Sequence, residues 1–383
     1  MILLLYTAII ISIIYCIIIY LFQRAWKKQP LQNVVEDYAQ NIITQKLPFI
    51  SVIIPFRNEK ENLPDLLTAL NNQSYPIELY EIIAVDDHSS DDTASLIKSN
   101  RDLTNIKIMN NDGEGKKDAL KTGILKSCGQ LIISIDADCL PSGSCWIETI
   151  AKNYANNTPS MLQSPVKMTG TNNLLSRFQS IEYMSLQMCG AGAIFLKQPV
   201  FCSGANLAYD KNDWLEAINC VAGKNNLSGD DVFLLHTFKK QKKKIVFIKD
   251  KNCCVNAKTE QHFKGFMNQR MRWGGKSVAY KDLPTTLLAT TVFLCNLFLS
   301  ISIVCFFFFP NIYFPIVFVM KIIVDYLLLK EGADFFDFKI PICEYILFSI
   351  IYTFYLTITA IGSLFANISW KGRKTGGFFK RIG

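Results

Sequence analysis

Apolar residues run without a charge over Ile2 to Phe22, Thr285 to Phe309 and Tyr345 to Trp370. As a helix the first run reaches about 30 Å, the thickness of a bilayer core. A fourth stretch, Asn311 to Leu329, is apolar but carries Lys321 and Asp325, spaced to pair on one helix face. Arg24, Lys27 and Lys28 follow the first run, so the positive-inside rule puts what comes after it in the cytoplasm. No basic residues precede that run and no small-residue cleavage site follows it, which argues against a cleaved signal peptide. The tail after Ser369 holds Lys371, Arg373, Lys374, Lys380 and Arg381 and no acids. That favours an inside tail, with Asn311 to Leu329 re-entrant or lying in the interface.

Between these spans the period changes. Gln29 to Lys46 is polar, a linker or interfacial helix. Phe49 to Pro55 is a short β-branched run ended by proline, which predicts a buried strand. Asn62 to Asn71 places Leu63, Leu66, Leu67 and Leu70 on one helix face. Strands are predicted at Tyr80 to Val85, Ile106 to Met109 and Leu131 to Ile135, and helices from Asp91 and over Lys117 to Ser127. This alternation predicts an α/β fold with a mostly parallel, doubly covered sheet. Ligands of such sheets bind beyond the carboxyl ends of the strands, so Asp87 and Asp138 fall on one edge. The expected domain order is an N-terminal transmembrane helix (1–23), a linker (24–47), a catalytic domain (48–260), an interfacial helix (261–283), C-terminal transmembrane segments (284–370) and a basic tail (371–383).

The chain is 50% hydrophobic and only 19% charged over 383 residues, which suits one soluble domain joined to a membrane part. Twelve cysteines lack C-x-x-C spacing and there are three histidines, so neither a disulfide framework nor a zinc site is indicated. Cys253 and Cys254 are expected to be reduced and buried. The net charge of +8 concentrates in Lys239 to Lys251 and the tail, which fits anionic lipid headgroups; no nucleic-acid motif is present.

Several short motifs carry candidate chemistry, each with a plainer reading beside it. Asp86-Asp87-His88 follows a strand, where Asp87 can accept a hydrogen bond from a pyrimidine N–H; helix capping is the plainer role. Pro55, Asn58 and Glu59 follow the neighbouring strand and would form the other wall of a nucleotide pocket. Gly113-Glu114-Gly115-Lys116 precedes a helix and suits phosphate, or is a solvated basic turn. Asp136 and Asp138 can hold a hard cation and leave positions for diphosphate oxygens; two solvated acids in a turn are the alternative. Gly204 lies in a segment, Cys202 to Ala208, that combines small residues with an amide and suits a tight backbone approach to a sugar; a plain turn would use the same residues. Asp230 and Asp231 open a helix, where Asp231 can serve as a general base and Asp230 as a cap. Gln269, Arg272 and Trp273 stand just before the second membrane run, as a donor-covering element or as lipid-facing Trp with snorkelling Arg.

With these motifs in this order, the chain resembles a membrane-bound family 2 glycosyltransferase over Pro48 to Trp273. The resemblance rests on Asp87, Asp136 with Asp138, Asp230 with Asp231, and Gln269 with Arg272 and Trp273. It implies a GT-A (Rossmann-like) fold, a UDP-sugar donor, Mg2+ or Mn2+ on Asp138 and Asp136, inversion at the anomeric carbon, and Asp231 as catalytic base. Lys116, Gly204, Pro55, Asn58, Glu59 and Asp87 then fall on the donor side. The tail Ser369 to Arg373 and the single N-terminal span are similar to ceramide-glucosyltransferase-like enzymes, which glycosylate a lipid once. Processive polysaccharide synthases share the motifs and usually carry more membrane segments. A catalytically silent scaffold is the reading from another class, and a metal pair together with a base argues against it.

Overall fold

A computed structural model describes residues 2–31, 47–95, 105–220, 230–277, 279–308, 313–365, 368–370 and 373–375. The chain forms two compact units. One comprises Met1–Lys28, Gly170–Val200 and Thr259–Gly383; the other comprises Gln29–Thr169 and Phe201–Lys258. The continuous range 48–260 expected for the catalytic domain is therefore interrupted by Gly170–Val200.

Helix α1 (Ile2–Lys28) precedes β1 (Ile50–Phe56), α2 (Leu63–Asn71), β2 (Tyr80–Asp86), β3 (Ile106–Asn110), α3 (Lys116–Leu125) and β4 (Leu131–Ile135). Next come β5 (Cys139–Pro141), α4 (Trp146–Asn157), β6 (Met161–Gln163), β7 (Val166–Thr169) and α5 (Leu174–Phe195). Then follow β8 (Asn206–Asp210), α6 (Lys211–Ala217), α7 (Asp230–Lys240), β9 (Ile245–Phe247) and β10 (Val255–Lys258). Helices α8 (Phe263–Ser277), α9 (Leu283–Phe306), α10 (Tyr313–Phe336) and α11 (Ile342–Phe365) lead to the short pair β11 (Ile368–Trp370) and β12 (Arg373–Thr375).

The sheet unit is built on seven strands in the order β3-β2-β1-β4-β8-β6-β9. The first four are mutually parallel, β8 runs antiparallel to both neighbours, and β6 is parallel to β9. Strands β1, β2 and β4 are buried along their length, as their unbroken apolar runs require of a sheet covered on both faces. Leu63, Leu66, Leu67 and Leu70 of α2 are all buried in the same core, as the helical spacing predicts. Truncating one of them to alanine would cost about 2–5 kcal/mol. Pro55 is tolerated inside a central strand because the β1–β4 ladder ends at Ile53↔Ser134, before the missing N–H would be needed. The registers Phe56↔Asp86 and Asp86↔Asn110 bring the carboxyl ends of β1, β2 and β3 level, which fixes the edge where ligands bind.

In the helical unit, Tyr6–Lys28, Leu283–Phe306 and Ile342–Phe365 are long and apolar enough to cross a membrane. Their exposed faces carry Ile10, Ile17, Leu287, Val304, Ile358 and Phe365, apolar surface of the kind that marks membrane or protein contact. The third span ends at Phe365 rather than Trp370, because Ile368–Trp370 pairs instead with Arg373–Thr375. From Tyr313 on, the stretch expected to be re-entrant or to lie in the interface belongs to one unbroken helix, Tyr313–Phe336. The expected i, i+4 pair forms on it, with Lys321 Nζ 2.6 Å from Asp325 Oδ2. Lys321 is 2% exposed and Tyr15 of α1 donates to Asp325 Oδ1 at 2.8 Å, so the charges stay away from lipid. Of the polar linker, residues 32–46 lie outside the described residues, as do 376–383 of the basic tail.

Candidate active site

The site is assembled at the carboxyl edge of the parallel strands. After β1 and β2 the chain turns through Asn58 (φ 53°) and His88 (φ 58°), both in the left-handed region. The Asn58 amide holds these turns together: its oxygen accepts from Ser90 N at 2.8 Å and its nitrogen donates to Ser90 Oγ at 3.2 Å, while Asn58 N donates to Ser89 Oγ at 3.1 Å. Glu59 is buried; its N–H donates to Thr93 Oγ1 at 3.0 Å and its Oε2 accepts from Asn62 at 2.6 Å. Asn58 and Glu59, expected on one wall of a nucleotide pocket, thus brace the two turns against each other.

Asp87 is 2% exposed. Its Oδ1 accepts from Gly115 N at 2.7 Å and from Asn111 Nδ2 at 2.8 Å, tying the glycine loop to the end of β2. Gly115, at φ 92°, takes a conformation that only glycine adopts readily as the chain enters α3. Asn111 is a residue the sequence reading passed over. Its oxygen also accepts from Gly113 N at 3.1 Å and from Thr122 Oγ1 at 3.3 Å, so it organises the whole loop. An Asn directly after a strand and before Asp-Gly is the local signal that could have revealed it. The His88 Nε2–H donates to the Gly113 carbonyl at 2.9 Å and closes the same loop.

Lys116, first residue of α3, places its Nζ 2.5 Å from Asp136 Oδ1 at the end of β4. Asp138 is exposed, two residues on, after a turn in which Cys139 N donates to Asp136 O at 3.0 Å. Burial, then the Asp138 and Asp136 carboxylates, push the Cys139 thiol well above its ordinary range, so it stays a thiol. Asp231, in the first turn of α7, accepts from Gly204 N at 3.1 Å through Oδ2 and from Val232 N at 2.8 Å through Oδ1. A β-carbon on Gly204 would sit 3.3 Å from Asp231 Oδ2 and 3.5 Å from Lys116 Nζ. Lys116, Asp136, Gly204 and Asp231 therefore meet in one place although they come from four separate stretches of sequence. The Asp230 backbone begins α7; Ser228 and Gly229 lie outside the described residues.

Asn206 does not offer its amide to a sugar. It is fully buried; Nδ2 donates to the carbonyls of Pro165 and Cys253 at 2.8 Å each, and Oδ1 accepts from Trp146 Nε1 at 3.1 Å. Its work is to anchor β8 so that Gly204 can reach Asp231. Cys253 and Cys254 are buried free thiols, as expected.

Gln269, Arg272 and Trp273 lie on α8 in the helical unit. Gln269 Oε1 accepts from Arg270 Nη1, and the Trp273 ring lies 4.2 Å from the guanidinium of the same Arg270. The residue at the centre of this segment is thus Arg270, which the sequence reading left out. Helix α8 packs closely on α11: a β-carbon on Gly274 would lie 3.3 Å from Ser363 Cβ, and one on Gly362 3.2 Å from Met271 Sδ.

A family model described as Glycosyl transferase family 2 matches residues 51–212. Glycosyltransferase AglE of Haloferax volcanii is 31% identical over 148 residues, 38% of this chain and 48% of that protein. A poly-beta-1,6-N-acetyl-D-glucosamine synthase of Staphylococcus epidermidis is 26% identical over 312 residues, 77% of this chain and 71% of that protein. The chain spans about half the length of the first of these relatives. Among solved structures, the mannosyltransferase PcManGT from Pyrobaculum calidifontis, in complex with GDP-Man and Mn2+, aligns with a TM-score of 0.56 at 17% identity, covering 94% of this chain and 99% of that one. At that identity the likeness speaks for the fold. The strand order, the carboxylates at the sheet edge and the family match agree: residues 51–212 match a family 2 glycosyltransferase domain, and the fold is GT-A-like.

Proposed function

We propose that this protein transfers a sugar from a UDP-sugar to a lipid or membrane-associated glycan acceptor, with inversion, in the presence of Mg2+ or Mn2+. The observation that carries this reading is the meeting of Lys116, Asp136, Gly204 and Asp231 at the carboxyl edge of the sheet. Among the described residues no group of three or more His, Cys, Asp or Glu side chains gathers to hold an ion. Asp136 and Asp138 still fit a hard divalent cation, because Mg2+ keeps few protein carboxylates and fills its shell from substrate phosphates and water. When bound, the ion would neutralise charge on the leaving diphosphate.

The remaining work falls to the chain's own residues. Asp87, Asn58 and the glycine loop shape the nucleotide end, with Lys116 beside the diphosphate. Asp231, its carboxylate oriented by the Gly204 N–H, takes the proton of the acceptor hydroxyl. The acceptor oxygen bonds to the anomeric carbon as the bond to the diphosphate oxygen breaks on the opposite face, which inverts that centre. Gln269, Arg272 and Trp273 are assigned to the reaction on their sequence pattern. Arg24, Lys27 and Lys28, at the C-terminal end of α1, favour a cytoplasmic sheet unit.

A processive synthase is the second reading, favoured by the match to the poly-beta-1,6-N-acetyl-D-glucosamine synthase over most of this chain. The test is UDP release from a panel of UDP-sugars by purified protein in detergent, with membrane lipid extract as acceptor, with and without EDTA. EDTA-sensitive release supports transfer; its absence across the panel leaves the silent scaffold. Product size then separates one added sugar from a polymer ladder.

A further inference from the structure

Glu182 and Arg270 form a buried ion pair that the transfer chemistry above does not use. Glu182 on α5 is 7% exposed and Arg270 on α8 is 4% exposed. Arg270 Nε and Nη2 both donate to Glu182 Oε2, at 3.0 and 2.7 Å. The Tyr355 hydroxyl of α11 donates to Glu182 Oε1 at 3.4 Å. The guanidinium face is committed as well: its centre lies 4.2 Å from the Trp273 ring centroid and 4.9 Å from that of Phe266. Its remaining edge donates to Gln269 Oε1. Tyr183, next to Glu182, packs against the Trp273 ring, with centroids 5.8 Å apart.

Two of the three residues assigned to the reaction, Gln269 and Trp273, are thus held by Arg270, and Arg270 is held by a carboxylate 88 positions earlier. A buried ion pair is a weak source of net stability, since desolvation cancels most of the attraction. What it does supply is geometry. A planar guanidinium with its edges hydrogen-bonded and its face on an indole has one orientation.

We propose that Glu182 is a positioning residue for sugar transfer: through Arg270 it sets the plane of the Trp273 indole and the direction of the Gln269 amide. Arg270 is then the internal brace of the segment, and Arg272 is its arginine for substrate charge. This inference rests on the transfer reading above and on the assignment of Gln269 to Trp273 to it.

The experiment uses the full chain in detergent with UDP-N-acetylglucosamine and UDP-glucose as probe donors. The Glu182→Leu/Arg270→Met double variant replaces the pair with apolar side chains of similar size, a change that leaves a folded protein's stability near neutral. Its melting temperature stays near wild type, while kcat for UDP release falls about 10²-fold, the scale of loss that a small misplacement of a group used in the reaction causes, and KM for the donor does not move. Glu182→Asp keeps the charge but retracts it by one methylene; it shows the same split and carries the test if the double variant does not fold. A folded double variant or Glu182→Asp with wild-type kcat overturns the positioning role. Wild-type protein that releases no UDP overturns the transfer reading and this inference with it. Active wild type beside an equally active variant overturns the inference alone.

Discussion

The Lys116 ammonium lies 2.5 Å from Oδ1 of Asp136. One carboxylate of the proposed metal pair is thus neutralised by the first residue of α3, while Asp138 remains exposed. A cation placed there suits diphosphate oxygens, and a charge-assisted hydrogen bond contributes about 1.5–3 kcal/mol. Lys116→Met is expected to weaken UDP binding about 10- to 100-fold. Titration calorimetry with UDP and MnCl2 checks this, and unchanged affinity would remove Lys116 from the donor site.

Asp231 and Gly204 form the second pair to test. Asp231→Asn keeps one of the two backbone hydrogen bonds, from Gly204 N or Val232 N, but cannot take a proton, so donor binding persists and transfer falls by about 10²–10⁴-fold. Gly204→Ala puts a β-carbon against Asp231 and Lys116 and is expected to lower kcat with little change in melting temperature. Initial rates of UDP release report both; wild-type turnover by Asp231→Asn would end its assignment as base.

Glu81 supplies a pH dependence that has nothing to do with catalysis. Burial works to raise its pKa, but Lys107, the Cys128 N–H and the Ser51 hydroxyl outweigh it, so the carboxyl lies below its ordinary value of 4.5. A depressed folded pKa contributes stability that is fully present above the unfolded value and is lost as pH falls through the folded one. The melting temperature is therefore expected to drop below about pH 4.5, and Glu81→Gln to remove part of that drop while melting lower at neutral pH. A variant with the wild-type profile between those limits would show that Glu81 contributes nothing.

Lys321 and Asp325 make the same argument inside the helical unit. Lys321→Met leaves the Asp325 carboxylate, 18% exposed, without its cation and is expected to cost at most about 3–5 kcal/mol. Lys321→Met/Asp325→Leu removes both charges and regains most of it. Unfolding midpoints in detergent decide: a single variant as stable as wild type would mean the pair is solvated.

How much of this was legible in the sequence depends on the range of the interaction. The β-branched runs, the leucine spacing of α2, the carboxylates at strand ends and the Lys321–Asp325 spacing are local patterns, and each formed as read. What the Asn206 amide binds is not legible locally, because its partners Pro165, Cys253 and Trp146 lie 41, 47 and 60 positions away. Arg270 was passed over in favour of Arg272 because nothing near it in sequence announces Glu182.

By itself the sequence determined which segments are apolar, where strands and helices begin, and which edge of the sheet gathers the acids, because backbone preference and side-chain period are written in adjacent residues. Only the tertiary structure decided which polar side chains remain for a ligand and which are consumed inside the protein. That choice depends on hydrogen-bond partners such as Gly204 and Asp231, 27 positions apart, which desolvation forces together only once the sheet is closed over its core.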